Sequence, residues 1–197
     1  MKKLLFVILL LMNFFYLYAQ KITIPMIEKT SIYAIEDGIV LSYGYDLEEG
    51  CYIEINYPSL DLSVKYCNLS KFKYFTDKKI RKGVEIGKTG FTGAITEPLL
   101  NLVFTFRHKS DQSMITAIGD GVILVTEYEN DNSITVNYEQ IGIVITYCNL
   151  IPSSKQKGEK VKCNTQLGKI IENKNELAVI RVIEIDKTKF LFSGINK

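Results

Sequence analysis

Histidine is nearly missing from this chain: His108 is the only one in 197 residues. That scarcity excludes any site built from several imidazoles. A charge of one sign is missing too. Without Lys2 and Lys3, 22 basic residues stand against 22 acidic ones, so the rest of the chain has no net field to attract polyanions, and no nucleic-acid signature is present. No segment beyond the first twenty residues sustains a helical period, which excludes a helical bundle. No cysteine follows the N-terminal apolar run, which excludes a bacterial lipid anchor.

What is present begins with that run. Met1-Lys2-Lys3 precedes an apolar stretch from Leu4 to Tyr18, interrupted by Asn13, and then Tyr18-Ala19-Gln20. This layout is that of a secretory signal peptide, with cleavage expected after Ala19 and export to the periplasm or cell envelope. The alternative is a retained anchor, the only membrane contact the sequence offers. About 15 apolar residues are short of the roughly 20 that a spanning helix needs. In an oxidising compartment Cys51, Cys67, Cys148 and Cys163 allow three full pairings. Cys51 with Cys67 is favoured because the two flank a hairpin around Pro58 to Asp61.

The remainder, 47% hydrophobic and 11% aromatic over the whole sequence, is ample for a packed core. It is organised by an internal repeat. Tyr33-Ala34-Ile35-Glu36-Asp37-Gly38-Ile39-Val40 returns as Thr116-Ala117-Ile118-Gly119-Asp120-Gly121-Val122-Ile123. Ile55-Asn56-Tyr57 returns as Val136-Asn137-Tyr138, and Val64 to Leu69 returns as Ile145 to Leu150. Short alternating runs rich in Ile, Val, Tyr and Thr, punctuated by Gly, Asn and Pro, predict antiparallel strands in both copies. The chain therefore divides into residues 20–110 and 111–197, changing over between His108 and Met114. The Asp-Gly pairs and the glycines at 83, 87 and 90 are expected at turns. A phosphate-binding loop is excluded at Gly83 to Gly90, because no Lys-Ser/Thr or helix start follows.

The order of four phrases resembles the LytM or M23 peptidases, whose fold is a duplicated hybrid β-motif. The phrases are Ala34 to Val40, Tyr66 to Leu69, Gly83 to Gly93, and Asn101 to Arg107. The resemblance covers about Ile32 to Arg107, with a poorer copy from about Ile115 to Glu184. It implies an all-β fold. In an active relative it would also imply zinc held by two histidines and an aspartate, with further histidine beside the substrate.

Those histidines are replaced here. Asn68 stands in the Tyr-x-His-Leu phrase, and Asn101 and Val103 stand in the His-Leu-His phrase. Lys21 to Tyr33 offers neither the histidine nor the aspartate of the first ligand pair. In the second copy Asn149 and Glu176-Leu177-Ala178-Val179 repeat the loss. His108 is expected on an exposed loop. Cys67 and Cys148 sit in apolar strand phrases with no histidine nearby, so a cysteine nucleophile is not expected.

The resemblance thus implies a non-catalytic protein without a cofactor, which binds peptidoglycan or a cell-wall hydrolase in the former active-site groove. Tyr66, Asn68, Asn101, Val103 and Arg107 are the candidate groove residues, the asparagines suiting amide-rich stem peptides. Alternatively the asparagines are relics of zinc loss. Two other functions stay open: a structural module in which Tyr33, Tyr43, Tyr45, Tyr52, Tyr57 and Tyr66 serve packing or an interface, and residual hydrolysis through a metal near Asp37 or Asp120.

Overall fold

A computed structural model of the chain describes residues 15–109, 114–127, 132–171 and 179–192. The first copy contains β1 (Phe15–Pro25), β2 (Ser31–Tyr33), β3 (Gly38–Asp46), β4 (Gly50–Tyr57), a 3-10 turn (Pro58–Leu60), β5 (Leu62–Phe72), β6 (Lys79–Ile80), β7 (Glu85–Thr89) and β8 (Leu99–Lys109). The second contains β9 (Met114–Thr116), β10 (Gly121–Glu127), β11 (Ser133–Tyr138), β12 (Ile143–Cys148), β13 (Leu150–Pro152), β14 (Lys160–Val161), β15 (Gln166–Ile170) and β16 (Val179–Ile185). A short helix, α1 (Lys187–Phe192), closes it. The fold is all-β apart from that helix.

Hydrogen-bonded strand order makes the duplication visible. The first sheet runs β1-β8-β5-β4-β3-β6, with β7 joining β5 to β2, and the second runs β14-β10-β11-β12-β16. Reversed, the second order retraces the first strand for strand, and β13-β15-β9 forms a separate small sheet matching the end of β5, β7 and β2. Even the irregularities repeat: the register slips between Val40 and Ser42 in β3, and between Ile123 and Val125 in β10. Among the described strands only β1 has no counterpart.

Each copy is pinned inside by the same buried pair. The Tyr57 and Tyr66 hydroxyls lie 2.9 Å apart, and those of Tyr138 and Tyr147 lie 2.7 Å apart, all four rings being buried. A phenol buried without a partner would lose its hydration unreplaced, so pairing two of them removes that cost. The buried residues of both copies form one continuous core. Phe190 and Leu191 of α1 are fully buried, with the Phe190 ring 5.6 Å from Phe104 of the first copy. Asp186 caps the helix by accepting from the Thr188 and Lys189 amides at 3.0 and 3.2 Å.

Several expectations are corrected. α1 was not legible as a helical period. His108 lies in β8, opposite Tyr16 of β1, and not on a loop. The cleavage expected after Ala19 stands as an expectation: its point lies within β1, and the segment after it, Gln20 to Pro25, pairs with Leu99 to Phe104. Cys51 and Cys67 are free thiols, because a register slip beside Cys51 puts it opposite Leu69 while Cys67 lies opposite Asn101. The hairpin they flank does form. Gly38, Gly87 and Gly121 are not turn residues: a Cβ on Gly38 would meet the Asn56 carbonyl at 2.8 Å, and one on Gly87 the Lys71 carbonyl at 2.7 Å. Gly83, at φ 73°, does sit in a turn as expected.

Candidate functional site

Alternation along β8 sends Leu100, Leu102, Phe104 and Phe106 into the core and leaves Asn101, Val103 and Thr105 on the opposite face. On one side β1 sets Thr23 opposite Asn101 and Lys21 opposite Val103. On the other β5 sets Cys67 opposite Asn101 and Lys65 opposite Val103. This outer face is where three of the four sequence phrases converge.

Asn68 is the hub. Its backbone is left-handed at φ 62°, and Asn149 repeats this at φ 58°. Asparagine tolerates that region better than most residues, which supplies a backbone reason for an asparagine at both positions. In the second copy the break at Asn149 is what splits β12 from β13. The Asn68 amide NH2 donates to the Thr92 carbonyl at 2.8 Å, and its Oδ1 accepts from the Asn101 amide at 2.8 Å. Asn101 Oδ1 in turn accepts from the Thr23 hydroxyl at 2.5 Å. The chain Thr23, Asn101, Asn68, Thr92 thus links β1, β8, β5 and the loop after β7. Asn68 is 0% exposed and Asn101 6%.

The glycine phrase serves this hub. Gly90 N–H donates to the Asn68 carbonyl at 2.8 Å, and the Thr92 hydroxyl donates to the Leu69 carbonyl at 3.0 Å while accepting from the Cys51 amide at 2.9 Å. A side chain on Gly90 would run into the Ser70 backbone. Glycine lets the loop lie against the strand.

Of the expected groove residues, then, Asn68 and Asn101 are brought together but face each other and not a ligand. Tyr66 points into the core against Tyr57. Val103 is half-buried between Lys21 and Lys65. Arg107 lies on β8 opposite Leu17, and its side chain is outside the described set. Glu176, Leu177 and Ala178 are likewise outside the described residues. Sequence reasoning missed Thr23, Thr92 and a charged cluster beside them. Lys65 pairs with Glu49 and stands 4.0 Å from the Tyr52 ring centroid. Burial pulls its ammonium down, and the hydrogen bond and charge of Glu49 outweigh that, leaving its pKa raised. Thr92 was within reach, since it lies inside the Gly83 to Gly93 phrase.

The donor set does not fit zinc. Zinc prefers imidazole, thiolate or carboxylate ligands, whereas the hub offers a hydroxyl and two neutral amides already satisfied by protein partners. The nearest thiol, Cys67, is pushed up to about 12 by burial, with the charge of Glu49 adding to it, and so stays protonated at neutral pH. Asp37 and Asp120 are spent on matching turns: Asp37 accepts from the Lys82 amide at 2.8 Å, and Asp120 from the Cys163 amide at 3.1 Å and the Lys162 ammonium at 2.7 Å.

Comparison with known proteins agrees with the order of the phrases. Residues 18–114 match Peptidase family M23. No curated protein matches the chain. Among solved structures it is similar to a zinc-containing peptidase from Vibrio cholerae, at 22% identity and TM-score 0.40, over 46% of this chain and 28% of that one. It is also similar to the catalytic domain of the antimicrobial peptidase lysostaphin from Staphylococcus simulans, at 25% identity and TM-score 0.39, over 42% of this chain and 62% of that one. The lysostaphin solution structure aligns at 14% identity and TM-score 0.39, over 82% and 86% of the two chains. The chain thus spans less than two thirds of the length of the first two of these structures. Through residues 18–114, just under half of its length, this chain is similar to Peptidase family M23.

Proposed function

We propose that this protein is a non-catalytic M23-type protein of the cell envelope, which binds peptidoglycan or a cell-wall hydrolase without cleaving peptide bonds. One observation carries the reading: Asn68 and Asn101, which stand at histidine positions of the family phrases, are buried and hydrogen-bonded to each other at 2.8 Å. Metal catalysis needs ligands with free lone pairs and an open position for water, and the hub supplies neither. β1 supports the same conclusion. The family's first ligand pair lies about four residues apart upstream of Ala34, and Lys21 to Tyr33, which includes the part of β1 that faces Leu99 to Val103 of β8, holds neither histidine nor aspartate.

Binding is placed on the outer face around Val103, Lys65, Tyr52 and Glu54, where side chains are only partly covered. Asn68 and Asn101 are unsuitable test positions, since replacing them disturbs the buried hub. The test uses the purified full chain incubated with zinc, dialysed, and assayed for bound metal, for release of peptides from peptidoglycan, and for pelleting with peptidoglycan. Less than a tenth of an equivalent of zinc, no release, and pelleting that Tyr52→Ala plus Lys65→Ala abolishes are expected. Stoichiometric zinc with peptide release overturns the non-catalytic reading. Absence of pelleting overturns wall binding and turns attention to hydrolase partners.

A further inference from the structure

Although the chain as a whole is nearly neutral, its charge is unevenly placed. Lys71 to Lys82 reads Lys-Phe-Lys-Tyr-Phe-Thr-Asp-Lys-Lys-Ile-Arg-Lys, six cations against the single carboxylate of Asp77. Lys73 pairs with Glu85 and Lys82 with Glu36, leaving Lys71, Lys78, Lys79 and Arg81 exposed without a carboxylate among the described residues. The segment runs along the free side of β3. Asp77 N–H donates to the Val40 carbonyl at 2.9 Å, and Val40 N–H to the Lys78 carbonyl at 3.0 Å. β6 then pairs with Gly38 and Ile39. At its other end the Tyr43 ring lies 5.2 Å from Phe72 and 5.3 Å from Phe75, with Phe75 66% exposed. Tyr45, two residues further along β3, is 62% exposed.

The duplication supplies an internal control. By register and repeat spacing, the second-copy positions matching Tyr43, Phe72 and Phe75 are Thr126, Ser153 and Gln156. There Lys155 pairs with Glu159 and Lys162 with Asp120. The fold therefore builds this edge without aromatics and with two exposed cations lacking a carboxylate among the described residues, Lys157 and Lys160, where the first copy has four. The exposed aromatics and the extra unpaired cations of the first copy are not needed for folding.

We propose that this strip, Tyr43 with Phe72 to Arg81, is a docking surface for a membrane rich in anionic phospholipid. Charge complementarity selects the partner: four free cations match phosphate headgroups, and Phe75 with Tyr43 enters the headgroup boundary, where an aromatic ring is favoured. A soluble polyanion satisfies the cations but gives Phe75 no apolar phase to enter. The strip leaves the Asn68 hub and the face around Lys65 free.

The test uses the full chain on phosphatidylcholine vesicles with and without 30% phosphatidylglycerol. The N-terminal apolar run is common to every sample, so lysine acetylation read by mass spectrometry reports the strip even when all protein is vesicle-bound. Several-fold protection of Lys71, Lys78 and Lys79 on the anionic vesicles is expected, with Lys160 and Lys169 of the second copy unchanged. The protection should be lost in K78E/K79E/R81E and in 0.5 M salt, and reduced in Phe75→Ser with circular dichroism unaltered. Equal acetylation on the two vesicle types overturns the proposal. So does full protection in Phe75→Ser together with equal protection by soluble polyglutamate, which would assign the strip to a polyanionic partner.

Discussion

The side-chain amide of Gln20 pairs with the backbone of Val182 in both directions, donating to its carbonyl at 2.8 Å and accepting from its N–H at 2.7 Å. An amide side chain on β1 thereby occupies the place of a strand residue beside β16. It bridges the first sheet to the second, which has no strand equivalent to β1 among the described residues. Gln20→Ala leaves one donor and one acceptor of Val182 without these partners, costing about 1–3 kcal/mol where they stay shielded from water. Gln20→Glu should cost at least as much, since a carboxylate cannot donate to the Val182 carbonyl. Urea unfolding of both variants checks this, and loss of a single transition is expected if the junction couples the copies.

The Asn68 hub predicts non-additivity. Asn68→Ala and Asn101→Ala each break the same 2.8 Å amide bond, so each should lower stability by about 1–3 kcal/mol. Because the second substitution removes a bond already lost, the double variant should fall short of the summed cost by about 0.5 kcal/mol or more. Asn68→Gly keeps the φ of 62° and should cost less than Asn68→Ala. Denaturant midpoints of the four variants decide it. Strict additivity would mean that the amides are not coupled.

The repeat and the all-β fold were legible because alternation and turn residues are local signals. Tyr57 with Tyr66 and Tyr138 with Tyr147 were legible as repeated phrases, though not as hydroxyl pairs, since a hydrogen bond between neighbouring strands depends on register. Asn68 was visible as a departure from a histidine phrase. Its burial was not, because that depends on the loop after β7 folding back over it. The six residues of α1 are too few to show a period, and tertiary burial of Phe190 and Leu191 holds them. The residues Phe15 to Ala19 satisfy two rules at once, that of an export signal and that of a strand.

Gly38 and Gly121 make a matched pair for testing strand approach. A Cβ on Gly121 would meet Val136 Cγ1 at 2.8 Å and the Asn137 carbonyl at 2.9 Å, as one on Gly38 meets Ile55 Cγ2 at 2.7 Å and the Asn56 carbonyl at 2.8 Å. Alanine at either site forces the strands apart, at about 1–3 kcal/mol each. Gly158 differs: its φ is 86°, and a Cβ there would meet nothing within 4 Å. At that position alanine should cost only the conformational strain, about 1–2 kcal/mol. Thermal midpoints of the three variants compare the two mechanisms, and amide exchange should rise beside Gly38 and Gly121 but not beside Gly158.

Alkaline pH should unfold this protein in two stages. Burial raises the pKa of the Cys67 thiol from its ordinary 9.0 to about 12, so the unfolded chain loses that proton first. Stability from this group is complete below pH 9 and is lost progressively up to about pH 12. The phenols of Tyr57, Tyr66, Tyr138 and Tyr147 are also raised by burial from an ordinary 10.0, and a second, steeper loss should begin above pH 10. The sign follows from proton counting: above pH 10 the folded state keeps protons that the unfolded state releases, so raising the pH favours unfolding. Urea midpoints measured from pH 7 to 11 test this. Cys67→Ala should flatten the stretch between pH 9 and 10, and Tyr57→Phe with Tyr66→Phe should reduce the slope above pH 10. An unchanged midpoint from pH 9 to 11 in the parent chain would mean that these groups ionise in the folded state as they do in water, and that the tyrosine pairs are not buried.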